Sequence, residues 1–245
     1  MPKIYLSPST QEYNDYVTEG NEEYWMNEIA DAMIPYLRSS GITVMRNTPQ
    51  MTAASSITQS NQSNVDLHVA LHSNAAPESL AGKLRGSDVY YSPNSSLSKK
   101  FAEIEANNLK KIYPDPSLVL TRVATNLGEV TRTNAPSVLI EYAYHDNVDD
   151  ANWIKNNINE IARNTVESIT KYFDIPFINA QAVQTAKVNV ESGNLNIRSK
   201  PNINANIVGK APKGADIYVL GKWDNWYVVY YNGVVGYSSA DFIKI

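Results

Sequence analysis

The sequence predicts an α/β fold, a twisted, mostly parallel sheet with helices on both faces, followed by a small all-β domain. Two observations carry this prediction. Over residues 1–175, short apolar runs of strand length alternate with segments of helical period. Past a linker at 176–184, residues 185–245 hold only brief β-like runs broken by Gly, Asn and Pro. Two runs, "VDLHVALH" (65–72) and "SVLIEYAY" (137–144), are apolar on both faces, as strands at the centre of a parallel sheet are.

Each element follows from its local pattern. "KIYL" (3–6) is a strand stopped by Ser-Pro-Ser. Residues 22–39 place Trp25, Met26, Ile29, Met33, Ile34 and Leu37 at the spacing of a helix with one buried face, with Pro35 as the point of a kink. Gly41 stops this helix and 42–46 reads as a strand. The polar stretch 51–63 reads as helix from about Ala53. A strand at 86–92 and a helix at 96–111 follow, then 127–132 as an extended segment or turn. Residues 149–173 read as one long amphipathic helix. In the last domain, Trp226, Val228 and Tyr230 alternate before Asn232-Gly233, which predicts a hairpin.

Composition narrows the function classes. With 21 Lys+Arg against 25 Asp+Glu, the net charge of -4 speaks against nucleic acid as partner. No cysteine is present, which removes disulfides, thiolate metal sites and a cysteine nucleophile. No apolar stretch reads as a membrane span, and the opening residues lack the pattern of a secretory signal. Work outside a cell would then need nonclassical release. Neither a Gly-x-Ser-x-Gly elbow nor a glycine-rich phosphate loop occurs.

Open parallel sheets bind ligands beyond the carboxyl ends of their strands. The polar groups expected there are "SPSTQEYN" after the first strand, Glu22 at a helix start, His72, Glu141 and His145. His68 and His72 share a strand face but lie about 13 Å apart, too far to ligate one ion readily. His72 ends its strand at the rim, as a ligand would. His68 reads as a buried structural imidazole, with a role around a metal left open. Glu141 sits in an apolar strand that tolerates no unpaired carboxylate. A general base of raised pKa explains it, and so does a structural pair with Arg132.

These residues resemble a known family, the zinc-dependent N-acetylmuramoyl-L-alanine amidases of bacterial cell-wall and phage lysis systems. The resemblance rests on "KIYLSPSTQ", "EEYWMNEIADAM", "VDLHVALHSNAA" and "RTNAPSVLIEYAYHDN". The third is close to the family's Asp-Leu-x-x-x-x-His-x-Asn-Ala signature, and the fourth to its Pro-x-Val-Leu-x-Glu segment. The resemblance implies Zn2+ as cofactor, His72 and Glu22 as ligands, and Glu141 as the catalytic glutamate. It implies hydrolysis of the amide between N-acetylmuramic acid and L-alanine in peptidoglycan, with Arg132 or Asn74 as helpers at the oxyanion.

The family's opening turn carries a liganding histidine, and here Thr10 stands about where it belongs. His145 is the first choice for a replacement, with Gln11, Asn14 or a water behind it. Variants with an "LSPS"-like opening and added histidines favour a compensated site. The alternatives are a metal-free wall-binding protein and a zinc peptidase that cuts the stem peptide.

The segment from "GNLNIRSKP" to "DFIKI" resembles the bacterial SH3-like domains that accompany wall hydrolases. It implies a small β-barrel that binds peptidoglycan, with Trp223, Trp226, Tyr227 and Tyr237 as candidates for its groove. The pairing implies action at the bacterial cell wall, in an endolysin released through a holin pore or in an autolysin.

Overall fold

A computed structural model describes all residues, 1–245. In chain order the first elements are β1 (Lys3–Pro8), α1 (Glu22–Ser39), β2 (Thr43–Arg46), α2 (Ala53–Gln62), β3 (Leu67–Asn74) and β4 (Ser87–Tyr91). There follow α3 (Ser96–Leu109), β5 (Val119–Val123), α4 (Gly128–Thr131), β6 (Ser137–Tyr144), α5 (Val148–Asn156) and α6 (Ile158–Phe173). The strands form one sheet in the order β2-β1-β3-β6-β4-β5. β1, β3 and β6 run parallel, as do β4 and β5, and the β4–β6 junction is antiparallel. The expected mostly parallel sheet is present.

Alternation along the central strands separates two faces. One face carries Tyr5, Ser7, His68, Ala70, His72, Leu139, Glu141 and Asp88, as the strand registers show. Helices α2 and α4 cover it: Gln59 and Ser60 of α2 bond Tyr5 and His68, and Val130 of α4 packs with Ala70 and Leu139. The other face meets α3 and α6. There the Tyr142 hydroxyl lies 3.0 Å from Thr165, whose own hydroxyl donates to Glu105 Oε1 at 2.8 Å.

Four local readings change. Residues 128–131 form a helical turn, because burying Val130 under the sheet curls the segment rather than extending it. The helix read over 149–173 is two, since Asn157 leaves helical backbone and its amide donates to the Trp153 carbonyl at the end of α5. β5 was not expected, and only its Val119 is buried. β3 runs two residues beyond His72, with a shift of register against β6 between His72 and Asn74. Helix α2 starts at Ala53 as read, fixed by a capping box of Thr52 and Ser55. No helix is long and apolar enough to cross a membrane.

By their contacts the residues divide into two compact units, one of Lys3–Met33 with Val44–Tyr172, the other of Met1–Pro2, Ile34–Thr43 and Phe173–Ile245. The second unit contains an antiparallel seven-stranded sheet: β7 (Gln184–Val188), β8 (Asn194–Arg198), β9 (Ile207–Pro212), β10 (Asp216–Trp223), β11 (Trp226–Tyr231), β12 (Val234–Ser239) and β13 (Ile243–Lys244). Its core includes Val188, Leu195, Ile197, Ile217 and Val229. The predicted hairpin closes through Asn232 (φ 46°) and Gly233 (φ 82°), both in the left-handed region that this two-residue turn needs.

Glu105 is fully buried, its Oε2 has no partner, and burial pushes its pKa up to about 7. Between the ordinary 4.5 and about 7 the folded chain therefore holds a proton that the unfolded chain has lost. Through Glu105, stability should fall by about 3 kcal/mol as pH rises through that window. Glu105→Gln should make the profile of urea midpoint between pH 5 and 8 less steep, leaving the part due to the likewise raised Glu141. Profiles that run parallel for the two proteins would contradict this account of Glu105.

Candidate active site

His72 is the centre of the site. The β1–β3–β6 register sets it beside Glu141 on the helix-α2 face of the sheet, near the carboxyl ends of these strands. Both ring nitrogens face carboxylates: Nδ1 lies 2.7 Å from Glu22 Oε1, and Nε2 lies 3.2 Å from Glu129 Oε2. All three residues are buried. Burial alone would lower the His72 pKa, but the two hydrogen-bonded carboxylates and the charge of Glu141 raise it well above its ordinary value.

Glu129 is the residue that sequence reasoning missed. It sits in α4, beside the inward-facing Val130, and spans the distance between the two histidines. Its Oε1 lies 3.3 Å from His68 Nε2 and also accepts from the Ser7 hydroxyl, while its Oε2 takes His72. Burial would raise its pKa, but bonds and charge from His68 and His72 hold it down at about 2. His68 is thereby accounted for. Its ring stacks on Tyr5 with centroids 5.2 Å apart, its Nδ1 meets the Ser60 hydroxyl at 2.9 Å, and its Nε2–H anchors Glu129.

Glu22 opens α1, and Asn14 donates to its Oε2 at 2.6 Å. Its burial is offset by His72, Asn14 and Ser9, which lower its pKa. Glu141 is different. Its Oε2 is buried with no hydrogen-bond partner, and burial, with Glu22 and Asp88 nearby, pushes its pKa up to about 7 against the opposing pull of His72. A pocket of about 350 Å³ opens at His72 and Glu129, walled by Pro8–Gln11, Tyr13 and Met51–Ala53.

The other predicted residues lie elsewhere. His145 does not join the cluster: its Nδ1 meets the Ser73 hydroxyl and carbonyl at 3.0 and 2.9 Å, and its ring stacks on Tyr16. The bend after β6 turns it toward the backbone of β3. Arg132 is exposed at the end of α4, where its carbonyl accepts from Asn61, and it forms no pair with Glu141. The arginine next to this row is Arg122 of β5, bonded at 2.9 Å to Asp88, the register partner of Glu141. Asn74 caps its own turn, its Oδ1 accepting from the Ala75 N–H at 2.9 Å. Thr10 lines the pocket.

No group of three or more His, Cys, Asp or Glu side chains is arranged to hold a metal ion. The reason is geometric. Glu22 and Glu129 address opposite nitrogens of one ring and do not converge on a point. Two separate nitrogen–oxygen pairs of the kind a zinc ion takes result, Glu22 with His72 Nδ1 and Glu129 with His72 Nε2.

Comparison with known proteins decides the family. Residues 11–171 match the N-acetylmuramoyl-L-alanine amidase family. The chain belongs to this amidase family. It hydrolyses an amide bond of peptidoglycan, as the family does. Residues 193–244 match the bacterial SH3 domain family, so the amidase carries such a domain after its catalytic one. No curated protein matches the amidase in sequence.

Among solved structures, the amidase AmiC2 of Nostoc punctiforme is similar with a TM-score of 0.63 and 16% identity, over 71% of this chain and 97% of that one. The catalytic domain of CwlV from Bacillus (Paenibacillus) polymyxa var. colistinus gives 0.62 and 17%, over 72% and 100%. The catalytic domain of the CD27L endolysin targeting Clostridia Difficile gives 0.58 and 19%, over 70% and 98%. At these identities the likeness is one of fold.

In the SH3 domain of this amidase the aromatic candidates divide. Trp226 and Tyr227 are consecutive on β11 and face opposite sides. Trp226 lines a cavity of about 410 Å³ with Leu195, Arg198, Ile203 and Phe242, and Tyr227 lines another of about 320 Å³ with Val219 and Lys222. Trp223 is 47% exposed. Tyr237 belongs to no groove: it is fully buried, and its hydroxyl donates to the Ser40 carbonyl of the same unit at 3.0 Å.

Removing the Glu129 carboxylate strands three buried donors, on Ser7, His68 and His72. Glu129→Ala should cost about 3 kcal/mol or more in urea unfolding. A loss below about 1 kcal/mol would mean that Glu129 is not the tie between the histidines.

Proposed function

We propose that this amidase cleaves the bond between the lactyl group of N-acetylmuramic acid and L-alanine with a zinc ion held by His72 and Glu22, and with Glu141 as general base. The observation that carries the reading is the contrast between two neighbouring buried carboxylates. Glu22 is fully satisfied by His72 and Asn14, whereas Glu141, beside them, has an orphaned oxygen and a pKa near neutrality. A satisfied carboxylate suits a ligand, and an unsatisfied one poised near pH 7 suits proton transfer.

When bound, zinc supplies Lewis-acid polarisation of the scissile carbonyl and of water. The chain's own residues do the rest. Glu141 Oε2 accepts a proton from the attacking water as its oxygen bonds to the carbonyl carbon. It returns that proton to the alanine nitrogen as the carbon–nitrogen bond breaks, leaving a lactyl carboxylate and a free amine. Glu129 accepts from His72 Nε2–H and thereby keeps Nδ1 directed at Glu22. The SH3 domain holds the chain on peptidoglycan, and the cavity at Trp226, with apolar walls and Arg198 at its side, suits a stem peptide.

Purified peptidoglycan digested with the wild-type chain should yield new amino termini on L-alanine and no new reducing ends. Glu141→Gln should retain the thermal melt and lose about a hundredfold or more in rate. Removal of metal by a chelator should stop release, and zinc should restore it. New amino termini on other residues would make the enzyme a stem-peptide peptidase, and no release at all would leave a wall-binding protein.

A further inference from the structure

Resting on the reading of Glu141 as general base, we propose that the Tyr16 hydroxyl is a second catalytic group, which takes the other hydrogen of the attacking water. Five buried side-chain atoms of the chain lack a hydrogen-bond partner, and two of them, Tyr16 Oη and Glu141 Oε2, belong to this site. Buried polar groups are seldom left so. Two such orphans at one place point to a small ligand that joins them.

Tyr16 is 5% exposed, and the chain around it is fixed. Its N–H donates to the Gly20 carbonyl at 2.9 Å, the Val17 N–H donates to the His145 carbonyl at 3.0 Å, and Asp15 pairs with Asn21 just before α1. The phenol ring stacks on His145 with centroids 5.3 Å apart, and the Trp25 ring lies 6.3 Å away. Burial raises the phenol pKa, the Ser73 hydroxyl opposes from beside it without a completed hydrogen bond, and the charges of Glu22 and Glu141 add to the rise. The Tyr16 hydroxyl thus stands among Ser73, Glu22 and Glu141. Ser73 joins this group to the rest of the site, with its N–H 3.4 Å from Glu22 Oε1 and its Oγ 3.0 Å from His145 Nδ1.

A single water satisfies both orphans. Tyr16 Oη and Glu141 Oε2 make no bond with each other, and two oxygens that share a water stand about 4.5 Å apart, given bonds of about 2.8 Å. One water hydrogen goes to Glu141 Oε2 and the other to Tyr16 Oη. A hydroxyl both accepts and donates, so the phenol's own hydrogen turns to Ser73 Oγ. With both its hydrogens held, the water keeps a lone pair for the scissile carbonyl carbon. As the oxygen–carbon bond forms, the proton on the Glu141 side moves to Oε2, and the hydrogen at Tyr16 stays on the oxygen. Glu141 then gives its proton to the alanine nitrogen as the carbon–nitrogen bond breaks. The new lactyl carboxyl group releases the hydrogen held at Tyr16 to solvent, so Tyr16 itself ends the cycle unchanged.

Tyr16→Phe separates this role from packing, because it keeps the ring on His145 and removes only the oxygen. The full-length variant should melt as the wild type does, keep its KM for peptidoglycan, and lose about tenfold or more in kcat. High-resolution crystals of the wild-type chain should show a water within about 3.2 Å of both oxygens, and crystals of Tyr16→Phe should show none there. A Tyr16→Phe protein with wild-type kcat, beside an inactive Glu141→Gln protein, would overturn Tyr16 as a catalytic group and leave the amidase reading standing. A Tyr16 hydroxyl bonded to protein atoms alone, with no water at Glu141 Oε2, would overturn it in the same way. Wild-type chain that frees no L-alanine amino termini would overturn the reading of the site itself.

Discussion

The site depends on one buried ring held at both ends. His72 offers Nδ1 to Glu22 and Nε2 to Glu129, and neither carboxylate is free to move. Glu22 is tied by Asn14, and Glu129 by Ser7 and His68. Two negative charges in a buried site are costly unless each is paired, and the imidazole pairs both. An ion bound at Nδ1 would take over from the proton on that side, while the Nε2–H···Glu129 bond on the other persists. The ring thus keeps one orientation through the exchange, which is what a liganding histidine requires.

The fold makes this arrangement possible by bringing four separate stretches of chain to one face. β1 supplies Ser7 and the turn with Gln11 and Asn14, α1 begins at Glu22, β3 carries both histidines, and α4 carries Glu129. β6 then places Glu141 in register with His72, and β4 places Asp88 beside it. Every strand that contributes is central or next to central in the sheet, so its backbone is held on both sides. The loop residues of the site gain their order from hydrogen bonds to these strands, as Ser9 does through its N–H to the Leu71 carbonyl at 2.9 Å.

How far the sequence reveals this varies with the kind of signal. The long apolar strands β3 and β6 are legible because burial on both faces leaves little else for such runs to be, and their polar members, His72 and Glu141, stand out against that background. Glu129 leaves no such mark. A glutamate in "LGEVTR" looks like any surface residue, and only the folding of α4 under the sheet turns it inward. His68 was ambiguous for the same reason, since its partner was invisible. β5 escapes because an edge strand with one buried residue has no alternation to read. The break at Asn157 is a local side-chain bond interrupting an otherwise continuous periodicity. In the SH3 domain, the Asn-Gly turn was readable from two residues. The division of the aromatics between core and separate cavities needed the folded sheet itself.

The central claim is that His72 turns Nδ1 to the reaction site and keeps its proton on Nε2 against Glu129. Two-bond proton–nitrogen NMR correlation of the His72 ring in zinc-loaded protein measures this directly, because protonated and metal-bound imidazole nitrogens differ in shift and in correlation pattern. The account predicts a protonated Nε2 and a metal-bound Nδ1. A metal-bound Nε2 with the proton on Nδ1 would place the ion on the Glu129 side and contradict it.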